Sequence, residues 1–200
     1  MIIDLTMDVS EETFPFPGCP GAEICYISTV DEGGSNVKKI SLNSHFGTHV
    51  DAPYHMLADG KKLDEYDANT FVGQASIVDV VGKKQITEEH VPSDISVPIL
   101  IFKTRHSNNY KSQQYFSNNP VLTKDAAEAI ARTGVKIVGL DSFTVDNKPY
   151  TVHKILFKKN ILILENLVGL DKLGEHAKFI VAPLKLTNAD GAPARVFAEV

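Results

Sequence analysis

Five runs along the chain, at residues 76–81, 97–103, 135–140, 160–164 and 179–184, are nearly continuous in Ile, Val and Leu. A strand with one wet face alternates apolar and polar side chains, so unbroken runs of this length call for strands covered on both faces. Helical signals lie between them. Thr123 is placed to cap a helix carrying Ala126, Ala127, Ala129, Ile130 and Ala131, with Gly134 to end it. A second helix starts at Pro149, acceptable in a first turn, runs through Val152, Ile155 and Leu156, and ends near Asn160. Interleaved strands and helices predict an α/β fold on a mixed β-sheet with flanking helices. With 200 residues and no repeat or low-complexity linker, residues 1–200 are expected to form a single domain. Near the start, residues 2–5 read as a short strand. Pro15, Pro17 and Pro20 keep residues 13–21 out of helix and ladder, and residues 24–30 and 37–42 flank a Gly33-Gly34 turn as a hairpin.

Composition narrows the function classes. Twenty Lys and Arg against twenty-five Asp and Glu leave a net charge of −5, with no basic excess to neutralise a phosphate backbone, so nucleic acid is not an expected partner. The longest apolar stretch, Ile161-Leu162-Ile163-Leu164, falls far short of the roughly 18 residues of a spanning helix, so no membrane partner is expected either. Residues 1–8 lack a basic segment and carry acids where the apolar core of a secretion signal would run, which predicts a soluble cytoplasmic protein. Cys19 and Cys25, spaced C-x₅-C, match neither a zinc knuckle nor a redox C-x-x-C and read as reduced thiols.

Seven His and no Trp are the unusual part of the composition, and three of the His fall within eleven residues: His45-Phe46-Gly47-Thr48-His49-Val50-Asp51-Ala52-Pro53-Tyr54-His55. His45, His49, Asp51 and His55 all occupy odd positions, so an extended chain would project them to one side. A helix would align His45 with His49 as in H-E-x-x-H enzymes, but Phe46 stands where the Glu should be, and Gly47 and Pro53 oppose helix. Imidazoles converging with a carboxylate form a divalent-cation site; the plain alternative is a solvated polar loop. Glu165 closes the apolar run 161–164, where a buried carboxylate needs a cation or donors. Taken alone, it could instead pair with a Lys, and His153 reads as a surface residue of its helix. Asp141 could orient a ligand His or cap the next turn. His90, His106 and His176 read as surface residues, and the polar segment 107–119, with Tyr110 and Tyr115, as a lid or dimer contact.

On these residues the chain resembles the metal-dependent cyclase and hydrolase family that includes bacterial kynurenine formamidase and isatin hydrolase. His45 to His55 matches the signature H-x-G-T-H-x-D-x-P-x-H, and the likeness extends to Gly139-Leu140-Asp141-Ser142, to His153 and Glu165, and to Asp190-Gly191-Ala192-Pro193 with Arg195. The resemblance implies a swivelling β/β/α fold, usually a homodimer, with two divalent ions, Zn²⁺ or Mn²⁺. It places His45, His49 and Asp51 on the first ion, Asp51 and Glu165 as bridges, and His153 on the second, which overrides the surface reading of His153. It makes His55 the catalytic proton donor and acceptor, and it implies hydrolysis of a C–N amide bond in a small aromatic substrate, such as N-formylkynurenine in tryptophan catabolism. A divalent ion lowers the pKa of water toward about 7 and polarises the scissile carbonyl, and an imidazole can carry the proton to the leaving nitrogen. The family's substrate-binding aromatic corresponds to Phe16 in Phe16-Pro17-Gly18-Cys19, where kynurenine formamidases typically carry Trp followed by an acid after Pro-Gly; here Cys19 replaces the acid. The resemblance also admits a lactam or lactone hydrolase or a cyclase. A non-catalytic metal- or ligand-binding protein is the alternative from another class, and a structural zinc site fits the carboxylate-containing ligand set poorly.

Overall fold

The computed structural model describes all 200 residues, Met1–Val200. In chain order the strands are β1 (Ile2–Asp4), β2 (Glu23–Ser28), β3 (Val37–Ser41), β4 (His49–Asp51), β5 (Val72–Asp79), β6 (Gln85–Ile86), β7 (Ile99–Lys103), β8 (Val121–Leu122), β9 (Ile137–Leu140), β10 (Leu162–Glu165), β11 (His176–Pro183) and β12 (Gly191–Glu199). The helices are α1 (Val30–Gly33), α2 (Lys124–Ile130) and α3 (Thr151–Phe157). Strands β5, β7, β9 and β10 run parallel. The sheet order is β1-β12-β11-β5-β7-β9-β10-β4, and a further pairing of β4 with β12 closes seven of these strands into a ring. The result is the expected mixed sheet with few helices, curled into a barrel.

The unbroken apolar runs now have a cause. Along β7, Ile99 and Ile101 join the cluster that fills the barrel, while Leu100 and Phe102 join a second cluster shared with the helices. Strand β10 repeats the pattern, with Leu162 and Leu164 inside and Ile163 outside. Helices α2 and α3 supply Ala126, Ala127, Ile130, Val152, Leu156 and Phe157 to that outer layer. Both faces of these strands are therefore buried, as near-continuous hydrophobicity requires. The Thr123 hydroxyl caps α2 by accepting from Ala126 N, and the helix ends at Ile130, four residues before Gly134.

Two features depart from expectation. Strand β12 is the longest in the molecule, yet Gly191 and Pro193 at its start disguise it. Its inward positions Ala192, Ala194, Val196 and Ala198 are small because three strands crowd it: β1, β11 and β4. The hairpin of β2 and β3 does form, but the connection holds the helical turn α1, ended by Gly34 at φ +75°, rather than a tight Gly-Gly turn. None of the residues in its two strands is buried. No helix is long and apolar enough to cross a membrane.

Candidate metal centre

Strand register brings the distant parts of the cluster together. On β4, Val50 points into the barrel, so His49 and Asp51 point to its outer face. Antiparallel pairing sets Glu165 of β10 directly across from His49. Helix α3 lies over that face and brings His153 down beside them. The ring Nε2 of His49 lies 3.1 Å from Asp51 Oδ1 and 3.6 Å from Glu165 Oε2. From the other side, His153 Nε2 lies 3.9 Å from Asp51 Oδ2 and 3.6 Å from Glu165 Oε1. All four residues are buried.

His45 and His55 arrive by turns, which corrects the expectation of one extended segment. Only residues 49–51 are strand. Gly47, at φ +64°, turns the chain back so that the His45 ring meets that of His49 edge-on at 5.2 Å and its Nδ1 sits 2.5 Å from Asp51 Oδ1. On the far side, Gly191 permits this approach, since a Cβ there would stand 2.9 Å from His45 Cε1 and 2.7 Å from the Val50 carbonyl. His55 ends a 3₁₀ turn begun by Pro53; its ring centre is 4.0 Å from that of His45, and it borders the cavity next to the cluster.

Each inner imidazole has one nitrogen occupied by an outer acceptor. His49 Nδ1 donates to the Gly47 carbonyl at 2.8 Å, His153 Nδ1 donates to Asp146, and His45 Nε2 lies 2.7 Å from Asp190 Oδ2. The opposite nitrogens are thereby aimed at Asp51 and Glu165. Outer partners that fix tautomer and ring orientation in this way are the support a metal-ligating His needs. Two groups of three donors result, His45, His49 and Asp51, and Asp51, His153 and Glu165, with ligand atoms within 4.8 Å of one another in each group. A third group joins His45, His55 and Asp190. Nitrogen and carboxylate donors at these spacings fit a divalent cation, and the shared Asp51 fits a pair of ions.

The electrostatics agree. Burial opposes a charge on His45, but Asp51 and Asp190 outweigh it and raise its pKa to about 10. For His153 burial is likewise outweighed, by Asp146 and Glu165, and its pKa also rises to about 10. His49 is raised by Asp51 against its burial, and Asp51 is held well below the usual carboxylate range by His49 and His45 despite complete burial. The cluster draws positive charge into itself. His55 goes the other way, lowered by burial and by the positive charge on His45 and His153.

The adjoining cavity, about 550 Å³, has an aromatic wall of Phe14, Phe16, Tyr110, Tyr115, Phe116 and Phe143. Its size lies in the range of small-molecule sites. Phe16 meets Phe116 edge-on at 6.2 Å and Phe143 at 6.0 Å. The segment 107–119, left open as lid or dimer contact, supplies Tyr110, Tyr115 and Phe116 to this wall. Cys19 borders the cavity but belongs to none of the donor groups.

Other expectations shift. His106 is half-buried rather than free at the surface: it stacks on Tyr115 at 5.0 Å and its Nε2 donates to the Tyr115 carbonyl. His90 is half-buried and accepts from Thr87 N within its own turn, whereas His176 is exposed as expected. Asp141 caps the turn after β7, accepting from Thr104 and Arg105 N, and holds no ligand His. Arg195 pairs with Asp4 on the outside of the barrel. Asp146, Asn166, Phe116 and Phe143 were not singled out in the sequence. An acid seven residues before His153 was the one available signal for Asp146.

The Cyclase family model matches residues 3–147. Kynurenine formamidase of Bacillus cereus is 34% identical over 203 residues, covering 96% of this chain and 94% of that protein. Among solved structures, isatin hydrolase A from Ralstonia solanacearum superposes with a TM-score of 0.87 at 25% identity, covering 99% of this chain and 91% of that one. A structure described as a potential metal-dependent hydrolase with cyclase activity gives 0.84 at 25% identity, covering 99% and 96%. A family model spanning most of the chain and a relative one-third identical across nearly all of it lead to one conclusion: the protein belongs to the Cyclase family.

Proposed function

We propose that this protein is a metal-dependent hydrolase of a C–N amide bond, an arylformamidase that converts N-formylkynurenine and water to kynurenine and formate. The observation that carries the reading is the set of three imidazoles, each tied outward through one nitrogen and turned through the other onto two buried carboxylates. His45, His49 and Asp51 would hold one ion, His153 and Glu165 a second, with Asp51 and Glu165 shared between them. Zn²⁺ and Mn²⁺ both suit these donors. Such an ion supplies Lewis acidity toward the scissile carbonyl and toward water.

The chain's own groups do the rest. His55, beside the donors and facing the cavity, takes the proton of the attacking water at a ring nitrogen and returns one to the leaving aryl nitrogen. Its lowered pKa keeps it neutral, and so basic, at neutral pH. Phe16, Phe116 and Phe143 hold the arene of the substrate by stacking and edge contacts, which Phe supports with less area than Trp. The test is a panel. Apo protein reloaded with Zn²⁺ or Mn²⁺ is expected to hydrolyse N-formylkynurenine in preference to isatin and simple lactones. No turnover of N-formylkynurenine with either ion rejects the substrate; turnover of isatin instead moves the activity to a lactam hydrolase.

A homodimer and a cytoplasmic location belong to the same reading. The hairpin exposes Tyr26, Ile27, Val30, Val37 and Ile40, apolar surface of the kind that a second copy covers. Two free, exposed cysteines suit a reducing compartment. Light scattering is expected to give twice the chain mass for the native protein and the monomer mass for Ile27→Asp; a native monomer rejects the dimer.

A further inference from the structure

Asn166 sits between the cavity wall and the candidate ligands, and its side chain uses both ends. Its Oδ1 accepts from the Tyr115 hydroxyl at 2.7 Å, and its Nδ2 donates to the Gly47 carbonyl at 2.9 Å. That same carbonyl receives the Nδ1 hydrogen of His49. Both lone pairs of the Gly47 oxygen are therefore engaged, one by Asn166 and one by His49. The backbone supports the arrangement. Asn166 adopts φ +60°, tolerable for Asn, its N–H donates to the Ser142 carbonyl and its own carbonyl accepts from Thr48. Tyr115 and Asn166 are both buried, so their hydrogen bonds are not exchanged freely for water.

We propose that Asn166 is a positioning residue for the metal centre: it holds the Gly47 carbonyl in place, that carbonyl fixes the His49 ring, and Tyr115 fixes Asn166. The inference rests on reading His49 as a metal ligand. It gives the aromatic wall a physical connection to the ion, since Tyr115 belongs to both. The chain runs Tyr115 to Asn166 to Gly47 to His49, from the segment over the cavity to the face of β4.

The experiment measures the dissociation constants of Zn²⁺ and Mn²⁺ alone, by competition with a chromogenic chelator and without substrate. Asn166→Gly keeps the backbone conformation and removes the donor, and is expected to weaken metal binding about 10- to 100-fold, as loss of an outer partner does. Tyr115→Phe removes one hydroxyl and is expected to weaken it roughly three- to tenfold, the scale of one buried hydrogen bond. In the double variant the Tyr115→Phe effect should disappear, because its only route to the ion has been cut; general loosening would make the two effects multiply instead. Phe116→Leu, on the same wall but outside the chain of hydrogen bonds, is expected to bind metal as the native protein does. Native-like metal binding by Asn166→Gly, or multiplying effects in the double variant, overturns the proposal. If Tyr115→Phe does not fold, the Asn166→Gly result decides alone. His49→Ala separates the two readings: if it retains metal, the ligand assignment fails, and if it loses metal while Asn166→Gly does not, only the positioning role fails.

Discussion

Asp51→Asn is expected to lose the metal and the activity together. Asp51 joins the His45 and His49 donor group to the His153 and Glu165 group, and it lies 2.5 Å from His45, 3.1 Å from His49 and 3.9 Å from His153. The substitution keeps the shape of the side chain and removes its charge, so the strand pairing of position 51 with Ile163 and Gly191 is retained while the shared anion is lost. Without it, two buried ions would face imidazoles and a single carboxylate, Glu165, and an uncompensated buried charge is costly. Metal content after dialysis should fall close to zero, and kcat by at least about a thousandfold, because a catalytic ion contributes several kcal/mol to transition-state stabilisation. Thermal unfolding should also stop responding to added Zn²⁺ or Mn²⁺, since stabilisation by a ligand vanishes with its affinity. A variant that keeps its metal and its rate removes Asp51 from the centre and with it the shared-ion arrangement.

The fold was legible where burial writes itself into composition. The five apolar runs mark β5, β7, β9, β10 and β11 to within a few residues, because each is covered inside by the barrel and, for the parallel strands, outside by helices or loops. Strand β12 was not legible, for the opposite reason. Its crowded inner face selects Ala, and its first residues are a Gly that leaves room for His45 and a Pro, so its hydrophobic signal is weak where its structural role is largest. At the site, residue types and spacing between His45 and His55 pointed to a cluster of donors, but by the wrong geometry: a left-handed Gly47 and a 3₁₀ turn at Pro53, not an extended strand, gather the rings. His153 could not be placed from its helix alone, because the partner that turns it inward, Asp146, lies outside the helical periodicity. The same holds for Asn166 and Tyr115, whose pairing spans 51 residues and leaves no local trace.

Alanine at position 55 tests the chemistry with the metal left in place. His55 is the ring at the boundary, 4.0 Å from His45 and open to the cavity, and it belongs to neither donor group built on Asp51. Truncation to Ala should therefore leave metal content unchanged and lower kcat about 10²- to 10⁴-fold, the contribution of one positioned acid–base group. The pH profile adds a readout that a packing defect would not reproduce. Burial and the neighbouring positive charge lower the His55 pKa below its ordinary 6.5, and a bound cation pushes it the same way. The neutral ring is the active form for taking a proton from water, so kcat/KM at saturating metal should be flat through neutral pH and fall only below about 6.5. That acid limb should be absent from the slow residual activity of His55→Ala, and added imidazole should restore part of the rate. If the limb persists unchanged in His55→Ala with metal saturated, the titrating group lies elsewhere; if the rate is also native, His55 plays no part in the proton transfer and water alone must carry it.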